Sequence, residues 1–192
     1  MIKRLASHFR HWSRRTDASG IDAQSTLAPD APFVAVGDVH GCHDALRALM
    51  TRMDRIAEGS ETVIFVGDYI DRGPESRQVL TWLYELNQAY PEKAHCLMGN
   101  HERMMLDFID DPVGRGEIWL RNGGLETLAS FGVTLSRAEA DTEVAVGVAN
   151  ALEAALPAGM LAWLRDLPLV WSSGNVHCTH AAMSPRRAPE EQ

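Results

Sequence analysis

The stretch Gly-Asp-Tyr-Ile-Asp-Arg-Gly at residues 67–73 places two carboxylates and one guanidinium on a short loop. It follows the apolar and β-branched run Thr-Val-Ile-Phe-Val at residues 62–66, which predicts a buried strand that ends in a tight turn. Open α/β sheets bind their ligands at the carboxyl ends of their strands. The loop is therefore the first candidate for a functional site.

Two other segments repeat this design. Phe-Val-Ala-Val at 33–36 leads into Gly-Asp-Val-His-Gly at 37–41, and Ala-His-Cys-Leu-Met at 94–98 leads into Gly-Asn-His-Glu at 99–102. Each loop opens with Gly followed by Asp or Asn. We expect the three loops to converge on one point, because parallel strands end at the same edge of a sheet.

Helical segments alternate with these strands. Asp44 is predicted to cap a helix that ends near residue 56, Pro74 suits the first turn of a second helix, and a third helix follows Gly99 and stops before Pro112. Residues 113–167 are predicted to be mainly helical, with a break at residues 122–124, and are interpreted as a cap region. Residues 168–171 and 176–179 predict a hairpin that ends at His180. The order of elements is typical of an α/β layered fold.

The chain is predicted to divide into a basic tail and linker at residues 1–31 and a catalytic-type domain at residues 32–192. Residues 1–15 carry five Lys or Arg and no acid. A solvated tail is the favoured interpretation. A basic amphipathic helix on an anionic membrane surface and an organelle presequence are the alternatives.

Composition narrows the class of protein. The 192 residues carry a formal net charge of −8, which disfavours nucleic acid as the main partner. The three cysteines, Cys42, Cys96 and Cys178, form no CxxC pair and predict reduced thiols and a cytoplasmic protein. Cys96 and Cys178 are expected to be buried in strands. No apolar run reaches the ~18 residues of a transmembrane helix.

The polar residues of the three loops fit the chemistry of divalent cations, which take carboxylate, amide and imidazole ligands. Asp38 and His40 can face one ion, and Asp68 can bridge it to a second ion that Asn100 and His180 hold. A pair of divalent ions can activate a water and stabilise both oxygens of an in-line displacement. A lone Asp-x-His is a weak signal, and the joint occurrence of three Gly-led loops is what favours a metal site.

Three neighbouring residues suit phosphate chemistry. Arg72 offers a planar fork to phosphate oxygens, His101 can protonate a leaving alkoxide, and Asp71 can fix the tautomer of His101. Simpler interpretations stay open for each. Asp71 and Arg72 could form a surface ion pair, His101 could cap a helix, and His180 could be an ordinary histidine at a strand end. His43, His95 and His177 are interpreted as structural.

The three loops resemble the signature motifs of the phosphoprotein phosphatase family of metallophosphoesterases. The similarity extends over residues 33–185, and His180-Ala-Ala-Met-Ser-Pro185 resembles a later H-A-G-x-x-P motif of that family. The resemblance implies an α/β fold, namely the calcineurin-like four-layer αββα sandwich. It also implies two divalent metal ions, manganese most often and iron or zinc as alternatives, and the hydrolysis of phosphate monoesters by direct attack of water.

The resemblance also implies a role for each matching residue. One ion would be held by Asp38, His40 and Asp68, and the other by Asp68, Asn100 and His180. Arg72 and Asn100 would bind the substrate phosphate, and His101 with Asp71 would form the acid pair. Because Asp71 and Glu102 are present, the resemblance favours the branch of bacterial serine/threonine protein phosphatases. Relatives that cleave symmetric diadenosine tetraphosphate are the alternative.

The same resemblance implies a C-terminal segment that supplies a second phosphate-binding Arg and a further metal-binding His. The sequence printed here ends at Gln192. The second sheet is therefore expected to be incomplete and the activity impaired. We expect a fragment of a longer enzyme, a site completed by a partner chain, or a relative that binds phosphate or phosphoprotein without turnover. Phosphorylated proteins or small phosphomonoesters are the expected partners.

Overall fold

The computed structural model describes residues 26–57, 62–135, 142–184 and 186–187, without the side chains of 54–57. The interpretations of the basic segment 1–15 lie outside these residues, and the division into 1–31 and 32–192 stays a prediction. The described end of the linker contacts the domain. Ala28 N–H donates to Asn175 Oδ1 at 2.7 Å and Asp30 N–H donates to Ser173 Oγ at 2.9 Å.

Within the described residues, three parallel strands form one sheet in the order β1 (Phe33–Val36), β2 (Thr62–Phe65), β3 (Ala94–Cys96). Strands β2 and β3 end one and two residues earlier than predicted. The adjoining backbone still pairs across the sheet, since Val66 N–H donates to Val36 O at 3.0 Å and Leu97 N–H donates to Phe65 O at 2.8 Å. The loops at residues 37–41, 67–73 and 99–102 consequently leave one edge side by side.

The predicted helices are present as α1 (His43–Ala57), α2 (Ser76–Ala89) and α3 (Asn100–Asp110). Two predictions about their first turns are wrong. Asp44 lies inside the first turn of α1, because Leu46 N–H already donates to Cys42 O at 3.0 Å. Pro74 lies outside α2, because Glu75 N–H donates to Gly41 O at 3.0 Å and the helix begins only at Ser76.

The helical character of residues 113–167 is confirmed for the residues that the structure describes there. Helix α4 (Pro112–Trp119) is joined to α5 (Leu125–Ser130) by a kink (Leu120–Gly124), and α6 (Thr142–Ala155) and α7 (Met160–Arg165) follow. The predicted break is this kink, in which Gly123 has a φ of 106°. Trp119, Leu128 and Leu152 belong to the same buried cluster as Phe65 and Leu80. The helical region therefore shares the core of the sheet.

The predicted hairpin is confirmed as β4 (Val170–Ser173) and β5 (Val176–Thr179), which pair antiparallel. Met98 N–H donates to Pro168 O at 2.9 Å, and the Trp171 ring lies 4.8 Å from that of Phe33, so the hairpin is held beside the parallel sheet. The α/β class, with one parallel sheet and a second small antiparallel sheet, agrees with the prediction. Cys96 is buried as expected, whereas Cys178 is only partly buried.

None of the helices in the described ranges is both long and apolar enough to cross a membrane.

Candidate metal and phosphate site

Backbone hydrogen bonds join the first two loops. Val39 N–H and His40 N–H both donate to Asp68 O at 2.9 Å, and Gly41 N–H donates to Tyr69 O at 2.8 Å. These bonds do not depend on side-chain identity, so they fix the spacing between the two loops through the main chain. Asp38 and His40 are thereby held next to Asp68.

Glu102 joins the second loop to the third. Its buried carboxylate accepts backbone N–H bonds from Asp68 at 2.8 Å, Tyr69 at 2.8 Å, Ile70 at 3.3 Å and Gly99 at 3.1 Å. Burial raises the pKa of Glu102 to about 7, and these backbone donors oppose the rise. The sequence pointed to Glu102 only as a family marker, and the structure shows that it orders two loops at once.

Backbone strain is concentrated at this site. Among the described residues, positive φ outside glycine occurs at His40 (44°), Asp68 (55°), Asp71 (72°) and Arg72 (68°). Each is a predicted site residue. Such conformations cost on the order of 1–3 kcal/mol each and persist only where surrounding contacts over-determine them. Their clustering supports the functional reading of these loops.

The Asp68 carboxylate belongs to two groups of ligand-type atoms. One contains His40 and His101 and the other contains Asp38 and His180, and within each group the atoms lie within 4.8 Å of one another. Asp68 Oδ2 is 3.7 Å from His40 Nε2, and Asp68 Oδ1 is 3.3 Å from His180 Nε2. Both groups contain Asp68, but they place His40 with His101 and Asp38 with His180, whereas the sequence predicts Asp38 with His40 on one ion and Asn100 with His180 on the other. The bridging role of Asp68 stays a prediction.

The hydrogen bonds of two histidines leave their Nε2 atoms unprotonated, as acceptors. His40 Nδ1 lies 2.9 Å from Ile70 O and His180 Nδ1 lies 3.0 Å from Val66 O, so each Nδ1–H donates to a carbonyl. His180 Nε2 then faces another acceptor, Asn100 Oδ1, at 2.9 Å. Facing lone pairs repel unless a proton or a cation lies between them, and a nitrogen and an oxygen at this spacing fit as ligands of one divalent ion.

Asp71 and His101 form a buried pair. His101 Nδ1–H donates to Asp71 Oδ2 at 2.6 Å, and Trp119 and Thr127 donate to the same carboxylate. Burial raises the pKa of Asp71, while the bonds from Thr127, His101 and Trp119 oppose the rise. Because the carboxylate lies in the interior, the alternative of a surface ion pair with Arg72 does not describe it.

Arg72 contacts the ring nitrogens of two histidines. Its Nη1 donates to His40 Nε2 at 2.8 Å, and its Nη2 lies 3.1 Å from His101 Nε2. The guanidinium is therefore within reach of an anion bound among these groups. His177 is exposed and bonds to Ser172, which agrees with its structural interpretation.

Sequence reasoning assigned no chemistry to Trp119 and Thr127, which lie in the helical region and meet Asp71 only in the folded chain. Their signal in the sequence was limited to the nearby Asn122-Gly123-Gly124 break.

The chain is similar in sequence to known proteins. The family profile described as calcineurin-like phosphoesterase matches residues 31–183. A "Bis(5'-nucleosyl)-tetraphosphatase, symmetrical" of Legionella pneumophila (strain Corby) is 33% identical over 149 residues, 65% of this chain and 52% of that protein. A Caenorhabditis elegans protein named "Putative serine/threonine-protein phosphatase" is 33% identical over 89 residues, 46% and 24% of the two chains.

A solved structure shares the fold. The "Crystal structure of a putative diadenosine tetraphosphatase" superposes with a TM-score of 0.51 at 24% identity, covering 82% of this chain and 53% of the other. The chain spans 24% of the length of the Caenorhabditis elegans protein and 52% of that of the Legionella pneumophila protein.

Proposed function

Because the chain belongs to the calcineurin-like phosphoesterase family, we propose that it hydrolyses phosphate monoesters with the help of two divalent ions. The observation that carries this proposal is the Asp68 carboxylate, which is shared by two groups of ligand-type atoms. The residues proposed to hold the ions are Asp38, His40, Asp68, Asn100 and His180. When bound, such ions neutralise phosphate charge and lower the pKa of a coordinated water.

The side chains have separate tasks in this proposal. Arg72 binds the non-bridging phosphate oxygens with its planar fork, assisted by Asn100. His101 gives a proton to the leaving oxygen, and Asp71 orients the imidazole through the 2.6 Å bond. These residues lie on two loops that Glu102 joins through its bonds to Asp68, Tyr69, Ile70 and Gly99, so little reorganisation is needed when a phosphate group binds.

We propose phosphoserine or phosphothreonine in proteins as the main substrate, in line with the similarity to the Caenorhabditis elegans protein. Symmetric diadenosine tetraphosphate is the second candidate, because the tetraphosphatase of Legionella pneumophila aligns over a longer stretch of this chain. A cleft of about 310 Å³ lies beside Asn100 and His180. Manganese is the proposed ion, and the free thiols support a cytoplasmic setting.

The test is hydrolysis of p-nitrophenyl phosphate by the full chain with added manganese. Asp68→Asn removes the shared ligand and is expected to abolish turnover, while His177→Ala, which changes an exposed histidine, is expected to leave it intact. Turnover in Asp68→Asn equal to that of the wild type would contradict the assignment. Background rates in all three proteins, together with retained phosphate binding, would instead identify a binding protein without turnover.

A second experiment separates the two substrates. The chain is incubated with a phosphothreonine peptide and, separately, with diadenosine tetraphosphate, and the products are resolved by chromatography. Release of inorganic phosphate from the peptide supports a protein phosphatase. Formation of two equivalents of adenosine diphosphate at a higher kcat/KM supports the tetraphosphatase alternative.

A further inference from the structure

Trp119 combines complete burial with a polar contact to the Asp71–His101 pair. The indole is among the largest fully buried side chains, and its Nε1–H donates to Asp71 at 2.9 Å from Oδ2 and 3.1 Å from Oδ1. Phe108 packs on the ring, with centroids 4.9 Å apart. Packing alone would be satisfied by Phe, so the use of an indole is explained by its single N–H donor.

Thr127 forms hydrogen bonds with both the backbone and the carboxylate of Asp71. Its hydroxyl donates to Asp71 Oδ1 at 2.6 Å and accepts from Asp71 N–H at 2.9 Å. Ser76 Oγ accepts from the same N–H at 3.1 Å. These bonds explain how the strained φ of 72° at Asp71 is maintained, since backbone and carboxylate are tied to one side chain.

Together these donors restrict the Asp71 carboxylate to one orientation. Oδ1 receives Thr127 and Trp119, and Oδ2 receives Trp119 and His101. The direction of the His101 Nδ1–H bond is thereby fixed, and its Nε2 is directed to within 3.8 Å of Asp68 Oδ2. A carboxylate that lost one donor could rotate and take the imidazole with it.

The same segment also contacts the next residue of the loop. Arg72 N–H donates to Gly123 O at 3.2 Å, and a Cβ on Gly123 would lie only 2.7 Å from Arg72 N. The kink at Leu120–Gly124 therefore approaches the loop closely between the two donors Trp119 and Thr127.

We propose that Trp119 and Thr127 are positioning residues that hold Asp71, and through it His101, in the orientation needed to protonate the leaving group. The inference rests on the proposed function, in which His101 is the proton donor. Neither residue touches the substrate in this proposal. Their effect is exerted through two consecutive hydrogen bonds, from the donor to Asp71 and from His101 to Asp71.

The test compares two esters that differ in leaving group. Proton donation matters most for a poor leaving group such as an alkyl alcohol and least for p-nitrophenolate. Trp119→Phe and Thr127→Val are expected to lower kcat for an alkyl phosphate by about 10–100-fold, the usual effect of losing an outer hydrogen-bond partner. The loss for p-nitrophenyl phosphate is expected to be much smaller, and Thr127→Ser is expected to restore the alkyl-phosphate rate.

Trp163→Phe is the matched control. Trp163 Nε1–H also donates a hydrogen bond of 2.9 Å, but its acceptor is Asn87 Oδ1, outside the site. The second control is the His101→Asn background, in which Trp119→Phe should have no further effect on the alkyl phosphate. Equal losses on both esters, or an undiminished effect in the His101→Asn background, would overturn the proposal in favour of a purely structural role.

A spectroscopic readout separates this inference from the proposed function. The downfield proton resonance of the His101 Nδ1–H is assigned by its loss in His101→Asn. It is expected to shift or broaden in Trp119→Phe and Thr127→Val and to stay in place in Trp163→Phe. A wild-type chain that hydrolyses neither ester would refute the proposed function alone. A resonance unchanged in Trp119→Phe and Thr127→Val would refute the positioning role.

Discussion

Gly99→Ala tests how tightly the second and third loops are packed. A Cβ at this position would lie 2.2 Å from Asp68 N, 2.4 Å from Asp68 Oδ1 and 2.5 Å from Glu102 Oε2. Ordinary van der Waals contact begins at 3.4 Å, so the loops would have to separate by about 1 Å. That movement displaces the Asp68 carboxylate and lengthens the bonds that Glu102 accepts from Asp68 and Gly99.

The magnitude follows from the cost of overpacking, which is about 1–3 kcal/mol for one inserted methyl group. For a chain of this size, 1 kcal/mol lowers the Tm by roughly 2–4 °C, so a fall of about 2–12 °C is expected. Gly37 opens the first loop in the same way, but a Cβ there meets no atom within 4 Å. Gly37→Ala should therefore change the free energy of unfolding by no more than about 0.5 kcal/mol.

Thermal and urea unfolding of the full chain measure the stability of both variants, and calorimetric titration measures their affinity for manganese. Gly99→Ala should lose both stability and manganese affinity, whereas Gly37→Ala should retain both. If the two variants are equally stable and bind manganese equally well, the argument from loop packing is refuted.

Three further predictions concern single side chains. His180→Ala should weaken manganese binding by at least ~10-fold in calorimetry, because a direct ligand is lost, and His177→Ala should not; equal affinities would contradict the ligand assignment. Burial raises the pKa of Glu102 from its ordinary 4.5 to about 7. Between these two pH values Glu102 is therefore protonated in the folded protein and ionised in the unfolded chain. The free energy of unfolding should therefore fall by up to about 3 kcal/mol, relative to Glu102→Gln, as pH rises from 4.5 to 7, and a flat difference in urea titrations would refute this. Tyr69→Phe should cost about 1–3 kcal/mol in the same assay, because the buried hydroxyl lies 2.7 Å from Leu97 O; a loss under ~0.5 kcal/mol would contradict it.

The strand-and-loop units were predictable because their signals are local. A short β-branched run followed by Gly predicts a strand that ends in a sharp turn, and this signal can be read from consecutive residues alone. The residue types of the three loops likewise indicated cation and phosphate chemistry. The error at Pro74 arose because a neighbouring loop supplies a hydrogen bond just before the helix, from Glu75 N–H to Gly41 O. At Asp44 the helix begins earlier than expected, with Cys42 O accepting from Leu46 N–H.

The sequence alone determined the α/β order of elements and the identity of the ligand-type residues, since periodicity and loop chemistry are written in consecutive positions. Only the tertiary structure decided which atoms those residues present. The free Nε2 of His180 depends on a carbonyl 114 residues away, and the orientation of Asp71 depends on donors 48 and 56 residues along the chain. Hydrogen bonds over such separations form when remote segments pack together, and no local pattern records them.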